Sequence, residues 1–517
     1  MTGGPQQAPD AGAGSRRRRW RDWVLPVALL AAAFVFRGAY YRGSYGHPDE
    51  TITLEVVKYM QQSGDWDTNW HKSAVRELFH YDQYNFSSYL YAVFIFEQVV
   101  KVVPGLKEWS AIFDGYWVAR YFSVLLGTVA VWQTWWLGRR LAGDLAGLAG
   151  GLLAAIAPIL VQDAHYARPE AFVTVLTLGA VSLVAFPSAH WRRRVFCSAV
   201  VVGVLVACKI SLALVAWLPF VALGQEPPRL DHWVRSVSLA AAGMAAGFFL
   251  GAPGAVIHPG VFLYGVEALI LQYSGIQELH SHPAGGPVAD MQFAYFVATC
   301  GWPALLAAAG GLGVLAARRH WRAAVAVAGP LLLFGGYFAT RTVFFERNLS
   351  HVVPLGCVLA GIGVAALVQR LAPRLPQLAP VAALALLAAL AVQPAQISYR
   401  LVWKEFSGER GARREQYEEA LRRTYAFATW GVSAPLNDQP LKVLARHFAT
   451  GGPPVLLRVV DTQDPWSTPF AGHLVAQFQA EKVGDWPSTF AELPFSTLFT
   501  YVSPHIGYYL IRGKRAP

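Results

Sequence analysis

The chain is poor in charge. Only 15% of its 517 residues are Asp, Glu, Lys or Arg, against 54% hydrophobic residues. Apolar side chains therefore far outnumber what one globular core needs, and the bilayer is the natural place to bury them. Cysteine is scarce as well. Cys197, Cys208, Cys300 and Cys357 show no closely spaced pairs and no metal-ligand spacing, which argues against a disulfide framework or a zinc module and leaves them as small buried hydrophobes. A P-loop, a soluble nucleotide-sugar domain and a visible internal repeat are lacking. The formal charge of +11 comes as short Lys and Arg clusters between apolar stretches, not as one basic surface, so membrane topology accounts for it and nucleic acid is not an expected partner.

What is present is a series of apolar runs long enough to span a membrane. Clear runs cover residues 23–41, 116–137, 141–161, 171–186, 234–257, 291–317, 323–339, 349–368 and 378–392. The Arg16 to Arg19 cluster precedes the first of them with no small-residue cleavage signal after it, so this run is expected to stay as an uncleaved helix. The residues before it, 1–22, read as a disordered basic cytoplasmic tail.

Two regions, 84–103 and 195–224, are ambiguous, and the positive-inside rule decides them. Placing Arg16–Arg19, Arg139 and Arg140, Arg192–Arg194, Arg229 and Arg235, Arg318–Arg322, and Arg370 and Arg374 inside leaves one parity. Residues 84–103 then lie along the interface, and 195–224 cross twice as a short hairpin turning near Lys209. The expected fold is a polytopic α-helical membrane protein with about eleven transmembrane helices over residues 23–395, its N-terminus inside. Residues 396–517 form a small extracytoplasmic α+β domain, with a helical stretch at 410–425 and strand-like runs at 455–460 and 508–512. Facing outward are a long first loop, 42–115, a short loop at 162–170, the turn at Lys209, and loops at 258–290 and 340–348.

The residues able to do chemistry gather on that outer face. His47, Pro48, Asp49 and Glu50 follow the first span, and two adjacent carboxylates at the mouth of a membrane helix need water, a cation or a substrate to compensate them. Taken alone, the spacing favours a solvated helix-capping turn. Around them the topology sets Arg120 near the outer end of its span, His165, Arg168 and Glu170 in the second loop, Lys209 at the hairpin turn, and Arg341 and Arg347 in the fifth loop. Carboxylates facing several cations at headgroup depth suit a substrate with a phosphate and a hydroxyl to activate. His280 and His282 form a candidate metal pair, although histidines in a Gly- and Pro-rich loop more often serve as hydrogen-bonding groups; no cofactor is required, and a divalent metal is the one to test. Gly311-Leu312-Gly313-Val314-Leu315-Ala316 reads as a dinucleotide fingerprint but lies inside an apolar span with no strand before it, so close helix packing is the better reading.

The ordered set His47-Pro48-Asp49-Glu50, the loop His165 to Glu170, the Lys209 turn and Glu346-Arg347-Asn348 before Pro354 resembles the GT-C glycosyltransferases. More narrowly it resembles the family 39 group of protein O-mannosyltransferases, aminoarabinose transferases and RgtA/B/C/D-like proteins. Glu170 and Asn348 depart from that group's commonest pattern, where Asp and Tyr stand. The resemblance covers about residues 20 to 395 and implies a hexosyl- or pentosyltransferase of the inner or plasma membrane. Such an enzyme moves a sugar from a polyprenyl-phosphate donor to a hydroxyl of a lipid, glycan or protein acceptor, with inversion. It further implies Asp49 as general base, Glu50 to orient it or an acceptor group, and Arg168, Lys209, Arg347 and Arg120 as phosphate holders, supported by His47, His165, Glu170 and Arg341. The competing readings are a flippase for lipid-linked sugars, which would place polar groups near the midplane in repeated halves, and a non-enzymatic envelope assembly protein.

Overall fold

The computed structural model describes residues 12–43, 47–77, 82–106, 115–188, 190–223, 230–274, 287–343, 345–430, 439–460, 470–491, 503 and 505–515. Among them, five helices are long and apolar enough to cross a membrane: Trp233–Gly251, Val288–Ala317, Trp321–Ala339, Glu346–Leu371 and Ala379–Phe406. A sixth is obtained if Asp144–Ile156 and Pro158–Ala164, bent by 57° at their junction, make one span. The chain is a multi-pass membrane protein.

That bend has a local cause. Pro158 has no N–H, so the Ala154 carbonyl loses its intrahelical donor, and Ala157 turns extended at the break. Carbonyls exposed in this way inside a membrane protein need other donors. Arg37, fully buried in the first helix, supplies them: Nη2 donates to Ala154 O at 2.7 Å and Nη1 to Ala155 O at 2.8 Å. The Ser398 hydroxyl donates to the next carbonyl, Ile156 O, at 2.8 Å. Gly127 leaves room for the guanidinium, because a Cβ there would stand 2.9 Å from Arg37 Cδ and Nε. The bend aims Pro158–Ala164, and the loop that follows it, at the start of the Pro48–Ser63 helix.

Two sequence expectations change in form. The stretch 195–224 is not a pair of α-helical arms. Trp191–Cys208 is an α-helix, Lys209 is extended, and the second arm is two 3-10 segments, Ile210–Val215 and Leu218–Leu223. A 3-10 segment rises ~2.0 Å per residue against ~1.5 Å in an α-helix, so it stretches a short arm further. The last membrane helix runs through Ala379–Arg400 and continues as a π-helical turn, Leu401–Phe406, so a boundary read at 395 falls inside a continuous helical element. Residues 84–103 contain the helix Ser87–Val102, packed against Trp191–Cys208. The Gly311 fingerprint is a packing contact: Cβ atoms added at Gly311 and Gly363 would overlap the Leu359 and Ala307 carbonyls, so the helices Val288–Ala317 and Val353–Leu371 meet backbone to backbone.

Beyond the π turn, Glu409–Thr424 lies on a four-stranded sheet of order β1-β2-β4-β3: β1 Thr429–Trp430, β2 Val455–Val460, β3 Phe478–Trp486 and β4 Ile506–Lys514. β1 pairs with β2 in parallel, and β4 pairs antiparallel with both β2 and β3. Alternation divides the side chains. Val455, Leu457, Val459, Tyr509 and Ile511 pack with Leu441, Leu444 and Leu474, while Leu456, Ile506 and Tyr508 pack with Leu421 of the Glu409–Thr424 helix. Both faces are thus covered.

Replacing Arg37 with Leu leaves the Ala154 and Ala155 carbonyls without their donor, each costing about 1–3 kcal/mol. A clear drop in the thermal unfolding temperature of the purified protein is expected, larger than that of Ser398→Ala. An unchanged Arg37→Leu transition would contradict the clamp.

Candidate active site

The Pro48–Ser63 helix opens with a capping box that does not use the Asp49 side chain. His47 Nδ1 accepts from the Asp49 N–H at 3.1 Å, and the Glu50 carboxylate accepts from the His47 N–H at 2.7 Å, with Pro48 at the first helical position. The bland reading of the motif as a helix cap is therefore served by His47 and Glu50. The Asp49 carboxylate is left to another task.

Glu50 is buried and fully engaged. Its Oε1 accepts from Arg120 Nε at 2.8 Å and from the Ala167 N–H at 2.6 Å; its Oε2 accepts from Arg120 Nη2 at 2.8 Å and from the Tyr116 phenol at 3.1 Å. Arg120, with no exposed surface, also donates to the Tyr41 carbonyl at 3.0 Å and to the Tyr116 oxygen. A buried ion pair of this kind survives because its remaining donors and acceptors are also satisfied. One carboxylate thereby joins the Pro48–Ser63 helix, the Gly115–Ala142 helix and the second loop.

The second loop carries its own paired charges. Arg168 Nη2 lies 2.6 Å from Asp163 Oδ1, Arg168 Nε lies 3.4 Å from Glu170 Oε2, and Lys209 Nζ reaches Glu170 Oε1 at 2.7 Å. His165 faces two carbonyls, Val161 O at 2.8 Å and Ala39 O at 3.0 Å, and stacks on Phe406. Burial outweighs those acceptors and lowers the ring's pKa to about 4, so at neutral pH a single N–H serves one of the two.

In front of this layer opens a cavity of about 800 Å³. Asp49, Lys209, Arg341 and Arg347 reach its wall, and Ile210, Leu214, Val266, Leu269 and Ile270 make an apolar side. Arg347 Nη1 stands 3.2 Å from Asp49 Oδ2 and 3.4 Å from His47 Nε2. Burial, and then the positive Arg168 and Arg347, hold the His47 pKa well below its usual range, so the ring is neutral at neutral pH.

Of the residues expected in the site, His47, Asp49, Lys209, Arg341 and Arg347 line this cavity. Glu50, Arg120, His165, Arg168 and Glu170 stand behind it, buried and bonded to protein partners. Arg120, expected to hold phosphate, is spent on Glu50, and Glu50 meets Arg120 rather than Asp49. His280 and His282 lie outside the described residues, and among the described residues no cluster of three His, Cys, Asp or Glu is disposed to hold a metal. Sequence reasoning passed over Tyr273, whose phenol exchanges hydrogen bonds with the Asn348 side-chain amide at 3.0–3.1 Å in the cavity wall. It also passed over Asp163 as the partner of Arg168. Tyr273 ends an ordinary apolar helix, and no spacing rule marks it.

No family model matches the chain, and no curated protein does. Solved structures do. ArnT from Cupriavidus metallidurans bound to undecaprenyl phosphate matches with a TM-score of 0.52 at 13% identity, over 94% of this chain and 98% of that one. The same protein in the apo state gives 0.49 at 14% identity, over 95% and 98%. The Archaeoglobus fulgidus oligosaccharyltransferase in the apo form gives 0.47 at 12% identity, over 72% and 55%. Along nearly its whole length, this chain therefore has the fold of ArnT, the GT-C fold expected from its motifs.

Proposed function

We propose that this protein is a membrane glycosyltransferase that moves a sugar from a polyprenyl-phosphate donor to an acceptor hydroxyl at the outer membrane face, with Asp49 as general base. The observation that carries the reading is the Asp49 carboxylate. It takes no part in the helix cap and faces a cavity that also holds Lys209, Arg341, Arg347 and an apolar wall. The ArnT structure of the same fold is bound to undecaprenyl phosphate, a ligand of the chemistry this cavity suits.

The reaction follows from those groups. The acceptor oxygen attacks the anomeric carbon from the face opposite the phosphate, its proton passes to Asp49, and the bond from anomeric carbon to phosphate oxygen breaks. The donor phosphodiester leaves as a phosphate monoester with one more negative charge, which requires cations rather than the acid a glycosidase uses. Lys209 and Arg347 supply them, with Arg341 at the rim. Arg347 pairs with Asp49; a donor phosphate competes for the guanidinium and releases the carboxylate to take the proton. Arg168, Glu170, Asp163 and the Glu50–Arg120 pair are positioning residues in this scheme, and His47, neutral, fixes the start of the helix that carries Asp49. The apolar wall of Ile210, Leu214, Val266, Leu269 and Ile270 suits the first isoprene units of the donor.

Eleven crossings with an inner N-terminus, residues 84–103 along the interface, and an extracytoplasmic unit after the π turn belong to the same proposal. The alternating Arg clusters support that topology.

In proteoliposomes supplied with a panel of polyprenyl-phosphate sugars from the outer side, transfer is expected, with the anomeric configuration of the product inverted relative to the donor. Absence of transfer with every donor, alongside movement of donor between leaflets, would favour the flippase.

Arg347→Lys keeps the charge but removes the planar fork that can hold two phosphate oxygens. Losing one charge-assisted hydrogen bond of ~1.5–3 kcal/mol corresponds to donor use weakened roughly tenfold to hundredfold, with the unfolding temperature nearly unchanged. Wild-type donor kinetics in folded Arg347→Lys and Arg347→Ala proteins would remove this residue from the donor site.

A further inference from the structure

A second groove, of about 1020 Å³, lies where the last membrane helix meets the C-terminal unit. One wall is membrane-helix surface, including Phe36 and Tyr399; the other includes Arg410, Arg413 and Trp486 of the C-terminal unit. The π-helical turn Leu401–Phe406 contributes Lys404 to its lining, and a π turn is a rare feature concentrated at functional places. Here it divides its side chains between two tasks. Leu401, Val402 and Phe406 pack on Val161 and Tyr166 behind the candidate active site, while Lys404 and the preceding Arg400 line the groove.

Among the described residues, the groove lining is predominantly cationic. Arg400, Lys404, Arg410 and Arg413 line it, with Glu409 as the lining carboxylate. Lys404 and Arg413 share that carboxylate, at 3.1 Å and 2.6 Å, and Arg410 leans on Glu405 at 3.6 Å beneath the surface. Among the described residues that line the groove, cations thus outnumber carboxylates. Depth is indicated by aromatics: Tyr399 stacks on Trp403 with ring centroids 5.3 Å apart, and Trp403 meets Phe36 edge-on at 5.2 Å. Tyrosine and tryptophan beside cations at the end of a membrane helix mark headgroup level. An apolar flank below and a cationic wall above fit a phosphate that carries acyl chains.

We infer that this groove binds the headgroup of an anionic phospholipid, its phosphate held by Lys404, Arg413 and Arg400 and its chains lying along Phe36 and Tyr399. The site is separate from the donor cavity and is defined by binding, so its test does not depend on glycosyl transfer. Occupancy braces the π turn whose other face supports His165 and Tyr166.

The full-length protein in nanodiscs of phosphatidylcholine alone, or with phosphatidylglycerol added, provides the test. For wild type, phosphatidylglycerol is expected to raise the unfolding temperature by several degrees, because a ligand bound only to the native state stabilises it. Lys404→Gln/Arg413→Gln should lose roughly half of that shift or more, and Lys404→Arg should keep it. Sodium phosphate and glycerol phosphate should not reproduce the shift. If the double variant does not fold, Arg400→Gln replaces it, and native mass spectrometry should find fewer retained phosphatidylglycerol molecules than on wild type. Equal shifts, or equal lipid retention, in wild type and variants would overturn the assignment. A shift of the same size with the soluble phosphates would overturn it in favour of a small-anion site.

Discussion

The Glu50–Arg120 pair is the interaction on which the arrangement of the candidate site depends. A guanidinium and a carboxylate, both sealed from water, persist because each further hydrogen-bonding position around them is also used: the His47 and Ala167 amides, the Tyr116 phenol and the Tyr41 carbonyl. These partners come from separate parts of the chain, so one pair fixes the angle of the Pro48–Ser63 helix against the Gly115–Ala142 helix and the second loop. Asp49, next in sequence to Glu50, is thereby turned to the cavity. Adjacent carboxylates in one motif divide the work, one holding the helix and the other facing the cavity.

Behind the cavity the same rule repeats. Asp163 with Arg168, and Glu170 with Lys209, pair charges that could not be buried singly. The effect is two layers: a rear layer of buried ion pairs that sets geometry, and a front set, Asp49, Lys209, Arg341 and Arg347, partly open to the cavity. Lys209 belongs to both, since it touches Glu170 and lines the cavity. Arg37 extends this logic into the membrane, where it answers the carbonyls that Pro158 exposes and so directs the loop that carries Arg168 and Glu170.

Much of this was legible in the sequence, for physical reasons that also explain the remainder. Apolar runs and Arg clusters reveal spans because the bilayer penalises charge wherever it occurs, and the His47-Pro48-Asp49-Glu50 motif stood out because two carboxylates at a helix mouth are costly. What stayed hidden were the partners. Glu50 meets Arg120 seventy residues on, Arg37 meets carbonyls of residues 154 and 155, and Tyr273 meets Asn348; none of these pairings has a spacing signature. The second arm of the 195–224 stretch read as a helix because hydropathy does not distinguish an α-helix from a stretched 3-10 segment. The 395 boundary was set by composition, which changes before the helix ends.

The central claim is that Asp49 takes the acceptor proton, and single-turnover transfer by Asp49→Asn at saturating donor tests it most directly. Asparagine keeps the shape, and the helix cap built by His47 and Glu50 is untouched, so the variant should fold and bind donor like wild type. Its transfer rate is expected to fall by roughly a hundredfold to ten-thousandfold, the usual effect of removing a general base. A folded, donor-binding Asp49→Asn protein that turns over at near wild-type rate would contradict the account.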